Sequence, residues 1–160
     1  MADKIFGVLP EGELGGRPGL DVLADIVAGL LPQPPMCRTL NYRLVAVGPG
    51  FAVFEGEPVA DFYNPLGGVH GGWTATLLDS AMACAVHTML PSGQGYTTVE
   101  FKLNCIRPIS EATGRVRCEG RVLNTGRTIA TSEGKLLDAA GKLLAHGTET
   151  CLVFPMPERR

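Results

Sequence analysis

The amino-acid sequence predicts an α+β fold in which one long helix packs on one antiparallel sheet. Residues 71–90 form a single apolar segment of helical length, and most of the chain after it alternates apolar and polar side chains, as half-buried strands do. A helix that is followed by consecutive strands favours α+β over a parallel α/β sheet. The length of 160 residues fits a single domain.

An amphipathic helix is predicted ahead of this unit, at residues 20–31. Asp21 and Asp25 lie off its apolar stripe, and the prolines at positions 32, 34 and 35 are expected to end it. Residues 1–18 are rich in glycine, and we expect them to be loosely structured. The stripe consists of Leu20, Leu23, Ile26, Val27, Leu30 and Leu31.

Two short strands are predicted between this helix and the long one. They span residues 39–47 and 51–57, and the segment Gly48-Pro49-Gly50 between them has the composition of a hairpin turn. A loop at residues 58–69 then leads into the long helix.

Four strands are predicted after the long helix. In the first of them, alternation predicts one buried face that contains Val99, Phe101, Leu103 and Cys105. Turn sequences separate the last three strands. The four strands are expected near residues 98–105, 115–122, 128–137 and 143–154.

Composition excludes several classes of protein. Lys and Arg total 14 against 16 Asp and Glu, so the chain lacks the basic excess of nucleic-acid-binding proteins. The long helix contains Asp79 and His87 and is a poor membrane span, and the N-terminus lacks the apolar run of a signal peptide. Five cysteines without a C-x-x-C pair indicate reduced thiols, and the three histidines form no metal-ligand pattern. We therefore expect a cytoplasmic protein with no metal, nucleic-acid or membrane partner.

Two glycines, Gly71 and Gly72, stand at the start of the long helix. The first N–H groups of a helix have no partner within the helix and lie at the positive end of its dipole. They could stabilise a carbonyl oxygen that gains negative charge during acyl transfer. The alternative is an ordinary glycine helix start that binds nothing.

Asp79 lies in the middle of this helix among Ala, Leu, Met and Cys residues. No Lys or Arg occurs from Val59 to Phe101, so no nearby residue in sequence neutralises it. Burial should raise the pKa of its carboxyl, which suits a general base or a carboxylate nucleophile. The alternative is a structural Asp that is hydrogen-bonded to Thr76, Ser80 or the nearby backbone.

The spacing of Gly71 and Asp79 predicts a dimer if both residues act on one substrate. They are eight residues apart, which is about 12 Å along a helix axis. Groups that act on one carbonyl must each come within about 3 Å of it. Two antiparallel copies of the helix about a two-fold axis could meet this condition. The long helix is also apolar nearly all round, so it must be covered on several sides. One sheet covers only one side, which indicates that a partner chain covers another.

These residues together resemble a known family. Asn64, the run His70-Gly71-Gly72 and Asp79, followed by the segment 98–108, are similar to the signature of hotdog-fold acyl-CoA thioesterases of the phenylacetate-pathway (PaaI-like) type. The resemblance covers residues 37–154 and implies a five- or six-stranded antiparallel sheet wrapped around the central helix. Residues 1–36 would then be an N-terminal extension with an extra helix, and residues 155–160 a C-terminal tail.

The resemblance also implies roles for particular residues. Asp79 would be the catalytic carboxylate, and the Gly71 N–H would polarise the thioester carbonyl. Asn64 would hold the attacking water or the substrate, His70 would support the thioester, and Thr98 would contact the water or the carboxylate. The family forms dimers, which often pair into tetramers, with active sites between subunits.

Substrate contacts are predicted at a second set of residues. Coenzyme A has phosphate groups, so we expect cations at the entrance, with Arg127 as the first candidate. It would be part of the substrate, and no cofactor is expected. The binding set is predicted to include Gly72, Trp73, Arg127 and Thr128; Lys102 and Arg107 are weaker phosphate candidates, and Phe62 and Leu66 are further candidates for the acyl pocket.

The sequence therefore predicts an acyl-CoA thioesterase. It contains no G-x-S-x-G motif and no phosphate-binding glycine loop, which argues against a serine hydrolase of the α/β type and a nucleotide-binding protein. A non-catalytic acyl-CoA-binding module of the same fold is the main alternative. A hotdog hydratase is a third possibility, although the spacing of His70 and Asp79 does not resemble that class. The sequence leaves open which acyl group is bound and whether the protein is a dimer or a tetramer. It also leaves open whether Asp79 acts as a general base or as a nucleophile.

Overall fold

The computed structural model describes residues 6–10 and 12–156 of the chain. The helices are α1 (Glu13–Gly16), α2 (Gly19–Val27), α3 (Pro35–Thr39) and α4 (Gly71–His87), and the strands are β1 (Tyr42–Gly48), β2 (Phe51–Gly56), β3 (Gln94–Cys105), β4 (Val116–Thr125), β5 (Ile129–Leu137) and β6 (Leu143–Pro155). The strands form one six-stranded antiparallel sheet with the order β1-β2-β4-β5-β6-β3. Two 3₁₀ turns, Ala60–Phe62 and Glu111–Thr113, lie in the connections.

Helix α4 lies against the concave side of this sheet and provides most of the core. Its side chains at Leu77, Leu78 and Met82 are fully buried. The backbones of β4 and the helix approach closely at Gly120. A Cβ at this position would lie 2.1 Å from the Ala81 carbonyl oxygen, so no larger residue fits without a shift. The predicted α+β architecture, with a long helix wrapped by a six-stranded sheet, is confirmed.

Helix α2 is shorter than the predicted span of residues 20–31. It ends at Val27 because Gly29 adopts a positive φ of 75°. The Gly29 N–H donates to the Ile26 carbonyl at 3.1 Å, and the Leu30 N–H donates to the Asp25 carbonyl at 2.9 Å, which is a Schellman motif. The glycine therefore ends the helix before the prolines are reached.

The glycine-rich N-terminal segment differs from the prediction of a loose structure. The Gly15 carbonyl accepts a hydrogen bond of 2.7 Å from the Gly93 N–H, and Arg17 forms ion pairs with Glu13 at 2.8 Å and with Asp25 at 2.7 Å. The positive φ of Gly15 permits this path. Residues 1–5 and position 11, which the same prediction included, lie outside the described residues.

Strand β3 does not bury the face that alternation predicts. Val99 is 59% exposed and Phe101 is 39% exposed. Strand β3 lies at the edge of the sheet, and a register shift between Thr98 and Glu100 reverses the alternation there. Tyr96 and Thr98 face α4, and Leu103 packs against the core, whereas Val99 and Phe101 stay exposed because no second strand covers this edge among the described residues.

The C-terminal part of the described chain returns to the N-terminal segment. Strand β6 runs to Pro155, the first residue of the predicted tail, and the Met156 N–H donates to the Gly93 carbonyl at 2.8 Å. Residues 157–160 lie outside the described residues. Among the helices that the structure describes, none has both the length and the apolar character needed to cross a membrane.

Candidate active site

Asp79 faces a cavity of about 560 Å³ that lies between α4 and the inner face of β3. The carboxyl is half-buried, and most of the cavity wall is apolar. The N-terminal segment supplies Leu14 and Gly15 to this wall, and Met156 closes the same end. The wall also includes Tyr42, Phe54, Ala83, Cys84, His87 and Tyr96.

The Asp79 carboxyl has no cation beside it among the described residues. Burial raises its pKa above the ordinary value, and a hydrogen bond from Thr98 opposes this increase. The Thr98 hydroxyl lies 3.2 Å from Asp79 Oδ1. The alternative partners, Thr76 and Ser80, bond elsewhere: Thr76 donates to the Gly72 carbonyl, and Ser80 pairs with the Tyr42 hydroxyl.

A second carboxyl, Glu149 of β6, lies on the other side of Thr98. Its Oε1 is 2.8 Å from the Thr98 hydroxyl and 3.2 Å from the Cys151 thiol. Its Oε2 is buried and has no hydrogen-bond partner among the described residues. Burial raises the pKa of Glu149 to about 7. Asp79, Thr98 and Glu149 thus form a row of two carboxyl groups joined by one hydroxyl.

Glu149 is not among the residues predicted from the sequence, although the pattern of its strand contains a usable signal. Alternate positions of a strand share one face, and Ala145, Gly147, Cys151 and Val153 are all buried on the inner face of β6. Glu149 occupies one of these alternate positions and is therefore a charged residue in the core. That conflict between residue type and position is typical of a functional site.

The other titratable groups of the cavity are neutral at physiological pH. Burial lowers the pKa of His87 to about 4, and the ring contacts Tyr96 with centroids 5.2 Å apart. Burial raises the pKa of Cys84 to about 12, so this thiol does not supply a nucleophile. Glu149 therefore has a pKa close to neutral, and burial raises the pKa of Asp79 above its ordinary value.

The start of α4 has one free N–H group. His70 Nδ1 accepts a hydrogen bond of 2.9 Å from the Gly72 N–H, and the His70 carbonyl accepts one of 3.0 Å from the Trp73 N–H. The Gly71 N–H makes no hydrogen bond to any described residue, and Gly71 is exposed. His70 thus accepts the hydrogen bond of the Gly72 N–H and leaves the Gly71 N–H available to a ligand.

Gly71 and Asp79 line different cavities of the same chain. Gly71 borders a cavity of about 360 Å³ at the other end of the helix, together with Val69, Arg107 and Ile109. That cavity shares no lining residue with the cavity of Asp79. The helix spacing predicts that one chain cannot bring Gly71 and Asp79 to a common point, and the separate cavities agree with this prediction.

The remaining predicted site residues lie outside the Asp79 cavity in this chain. Asn64 Oδ1 accepts from the Leu66 N–H at 2.9 Å and so holds the loop that leads to His70. Trp73 is buried in the core, where it stacks on Phe62 and donates from Nε1 to the Leu40 carbonyl. Arg127 and Thr128 are exposed in the turn between β4 and β5.

Comparison with known proteins identifies the family. The sequence profile of the Thioesterase superfamily matches residues 66–145, which is half of the chain and includes Gly71, Asp79 and Thr98. The chain belongs to this superfamily. Acyl-coenzyme A thioesterase 13 of Homo sapiens is 31% identical to it over 131 residues, which cover 80% of this chain and 91% of the relative.

Solved thioesterase structures share the fold. The phenylacetic acid degradation-related protein of Ralstonia eutropha has a TM-score of 0.73 at 30% identity and covers 81% of this chain and 98% of its own. A mutant of phenylacetic acid degradation protein PaaI from Thermus thermophilus has a TM-score of 0.66 at 31% identity and covers 74% of this chain and 97% of its own. The predicted resemblance to PaaI-like hotdog thioesterases is confirmed, and this thioesterase is a thioester hydrolase. Glu149 and the N-terminal segment lie outside the range that the family profile matches.

Proposed function

We propose that this thioesterase hydrolyses the thioester bond of acyl- or aryl-acyl-coenzyme A, with the acyl group in the cavity beside Asp79. The main support is a half-buried carboxyl without a neighbouring cation at the wall of a largely apolar cavity. Such a cavity suits a neutral, apolar acyl group. The relative named acyl-coenzyme A thioesterase 13 supports the substrate class.

In the proposed reaction, Asp79 takes a proton from water while the oxygen of that water adds to the thioester carbon. The Gly71 N–H of a second copy donates to the oxygen that becomes negative, and the C–S bond then breaks. One such donor typically contributes about 10²–10³ in rate. Direct attack by Asp79, which forms a mixed anhydride, is the alternative. Single-turnover hydrolysis in ¹⁸O water distinguishes the two, because only direct attack places label in the Asp79 carboxyl.

The proposed site requires two copies of the chain. Gly71 and Asp79 line separate cavities of one chain, and a two-fold axis would place the helix start of one copy near the carboxyl of the other. Among the described strands, β3 has β6 as its single neighbour, and it exposes Val99 and Phe101 at its other edge. We therefore propose a homodimer joined edge to edge through β3, or a dimer of such dimers.

Coenzyme A is proposed to enter beside the same interface, and the reaction as proposed uses no further cofactor. Arg127 stays the first candidate for its phosphate groups, with Thr128 beside it in an exposed turn. Arg107 also merits testing, since it lines the cavity of Gly71. Asn64 is proposed to orient the water or the thioester, and His70 to support it by fixing the helix start. Gly72 and Trp73 are proposed to contribute to substrate binding indirectly, because they hold the first turn of α4 in place.

The proposed function is tested by free-thiol release from short-, medium-, long-chain and aryl acyl-CoAs. We expect hydrolysis of at least one class and a loss of roughly 10²–10⁴-fold in kcat on Asp79→Asn, since the amide cannot accept the proton. Asp21→Asn, an exposed helix carboxyl of α2, is the matched control and should keep full activity. Tight acyl-CoA binding without thiol release would instead favour the non-catalytic binding module.

A further inference from the structure

The row of Asp79, Thr98 and Glu149 has two contacts of hydrogen-bond length on one hydroxyl. The Thr98 hydroxyl lies 2.8 Å from Glu149 Oε1 and 3.2 Å from Asp79 Oδ1. A hydroxyl has one hydrogen, so it donates to one of these oxygens and can only accept from the other. Both contacts are hydrogen bonds only when one of the two carboxyl groups is protonated.

The surroundings place this proton on Glu149. Glu149 is 1% exposed, whereas Asp79 is half-buried and borders the cavity, so ionisation is less costly at Asp79. No described cation forms an ion pair with either carboxyl. The titratable and polar groups that face Glu149 are Asp79 and Cys84 of α4, Tyr96, Thr98 and Glu100 of β3, Ser132 of β5 and Cys151 of β6.

We propose that Glu149 is a positioning residue that keeps a proton and donates it in a hydrogen bond to Thr98, so that the Thr98 hydroxyl donates to Asp79. Asp79 then stays ionised, has a fixed orientation and directs its second oxygen toward the cavity. This inference rests on the proposed hydrolysis and adds a residue from outside the matched family range.

The proposed reaction leaves the number of protons on Asp79, Thr98 and Glu149 unchanged at its end. The attacking water gives its proton to Asp79 Oδ2, and its oxygen forms the new bond to the thioester carbon. The C–S bond breaks, and the departing sulfur takes that proton from Asp79. Glu149 keeps its own proton throughout, and Thr98 keeps its hydrogen directed at Asp79 Oδ1.

The pH dependence of kcat/KM separates this role from a merely structural one. When Glu149 ionises on the alkaline side, it competes for the Thr98 hydrogen and adds a second negative charge close to Asp79. We therefore expect wild-type kcat/KM to fall roughly tenfold above neutral pH. In Glu149→Gln the amide still donates to Thr98 but cannot ionise, so activity at pH 6 should stay within about threefold of wild type and the alkaline fall should disappear.

Two variants complete this experiment. Glu133→Gln removes a carboxyl from the exposed face of β5 and should keep the wild-type profile. Glu149→Ala removes the donor and should lower kcat at every pH. An unchanged alkaline fall in Glu149→Gln, or an inactive but folded Glu149→Gln protein, would overturn the inference.

An infrared measurement tests the row without any reaction. At pH 6 the wild-type protein should show the C=O band of a buried protonated carboxylic acid, which Glu149→Gln should lose and Asp79→Asn should keep. A wild-type protein that has this band but releases no thiol from any acyl-CoA would overturn the proposed function alone. An active wild-type protein without the band would overturn only the role of Glu149.

Discussion

At the level of single residues, two carboxyl groups differ because their surroundings differ. Asp79 borders the cavity and has one hydroxyl donor, whereas Glu149 is enclosed by the sheet and has an oxygen with no partner. Burial disfavours the charged form of both, and it acts more strongly on Glu149. A carboxylate that can accept a proton thus stands next to a carboxylic acid that can donate a hydrogen bond.

The raised pKa of Glu149 predicts how stability depends on pH. Its pKa is about 7 in the folded chain against an ordinary value of 4.5, so between these pH values the folded chain holds a proton that the unfolded chain has lost. Raising the pH through this window therefore lowers the free energy of unfolding of the wild type, on the order of 3 kcal/mol in total. Glu149→Gln lacks this loss.

Urea denaturation at pH 5 and pH 8 measures the difference. The free energy of unfolding of Glu149→Gln should increase relative to that of wild type between the two pH values. Glu133→Gln is the control and should show no comparable increase. A difference between Glu149→Gln and wild type that does not change with pH would contradict the assignment of a raised pKa.

At the level of secondary-structure elements, α4 provides both groups of the proposed reaction, Gly71 and Asp79. Its first turn offers the free Gly71 N–H because His70 occupies the N-cap position and bonds to Gly72. Its middle turn presents Asp79 to the cavity. The close approach of β4 at Gly120 fixes the helix against the sheet, so that both ends have defined positions.

The free N–H at the helix start predicts different losses of activity for two substitutions of Gly71. Gly71→Pro deletes the N–H and should lower kcat by roughly 10²–10³-fold while the helix persists, since proline is tolerated in a first turn. Gly71→Ala retains the N–H, and outside its own helical turn the Cβ would meet no atom of the described residues within 4 Å, so its effect should be milder. Thiol release and circular dichroism of both variants check this. Equal activity of the two variants would exclude the N–H as a donor.

At the level of the whole molecule, the single chain is folded but its proposed site is incomplete. Gly71 and Asp79, the two groups on which the proposed reaction relies, lie in separate cavities. The edge of β3 has unpaired backbone groups and apolar side chains, which are the features of a strand that pairs with another strand. Self-association would cover this edge and bring the two groups together.

A charge at this edge should separate the copies and remove activity together. We expect Phe101→Glu to shift the protein toward monomer in sedimentation analysis and to lower kcat by at least about 10²-fold, because the partner's oxyanion donor is lost. Leu30→Glu places the same charge on an exposed position after α2 and should change neither property. An active Phe101→Glu monomer would show that one chain suffices.

Helix ends and the sheet edge show where prediction from the sequence stopped. The spacing of apolar residues located α4 and the strands, but it extended α2 past Gly29, because periodicity does not report the φ of a glycine. Alternation assigned Val99 and Phe101 to the core, because it does not report which strand lies at an edge or where a register shift occurs. Glycine content predicted a loose N-terminal segment, because composition does not reveal partners that are distant in sequence, here Ser92 and Gly93.

By itself, the sequence determined the α+β architecture and the choice of Asp79 and Gly71. Both followed from local rules: the period of apolar residues, and a carboxyl without a nearby cation on an apolar helix. Only the tertiary structure brought Thr98 and Glu149 to Asp79, because these three residues lie on three elements that pack together through the sheet. The state of a shared proton depends on distances and burial, and these exist only once the chain has folded.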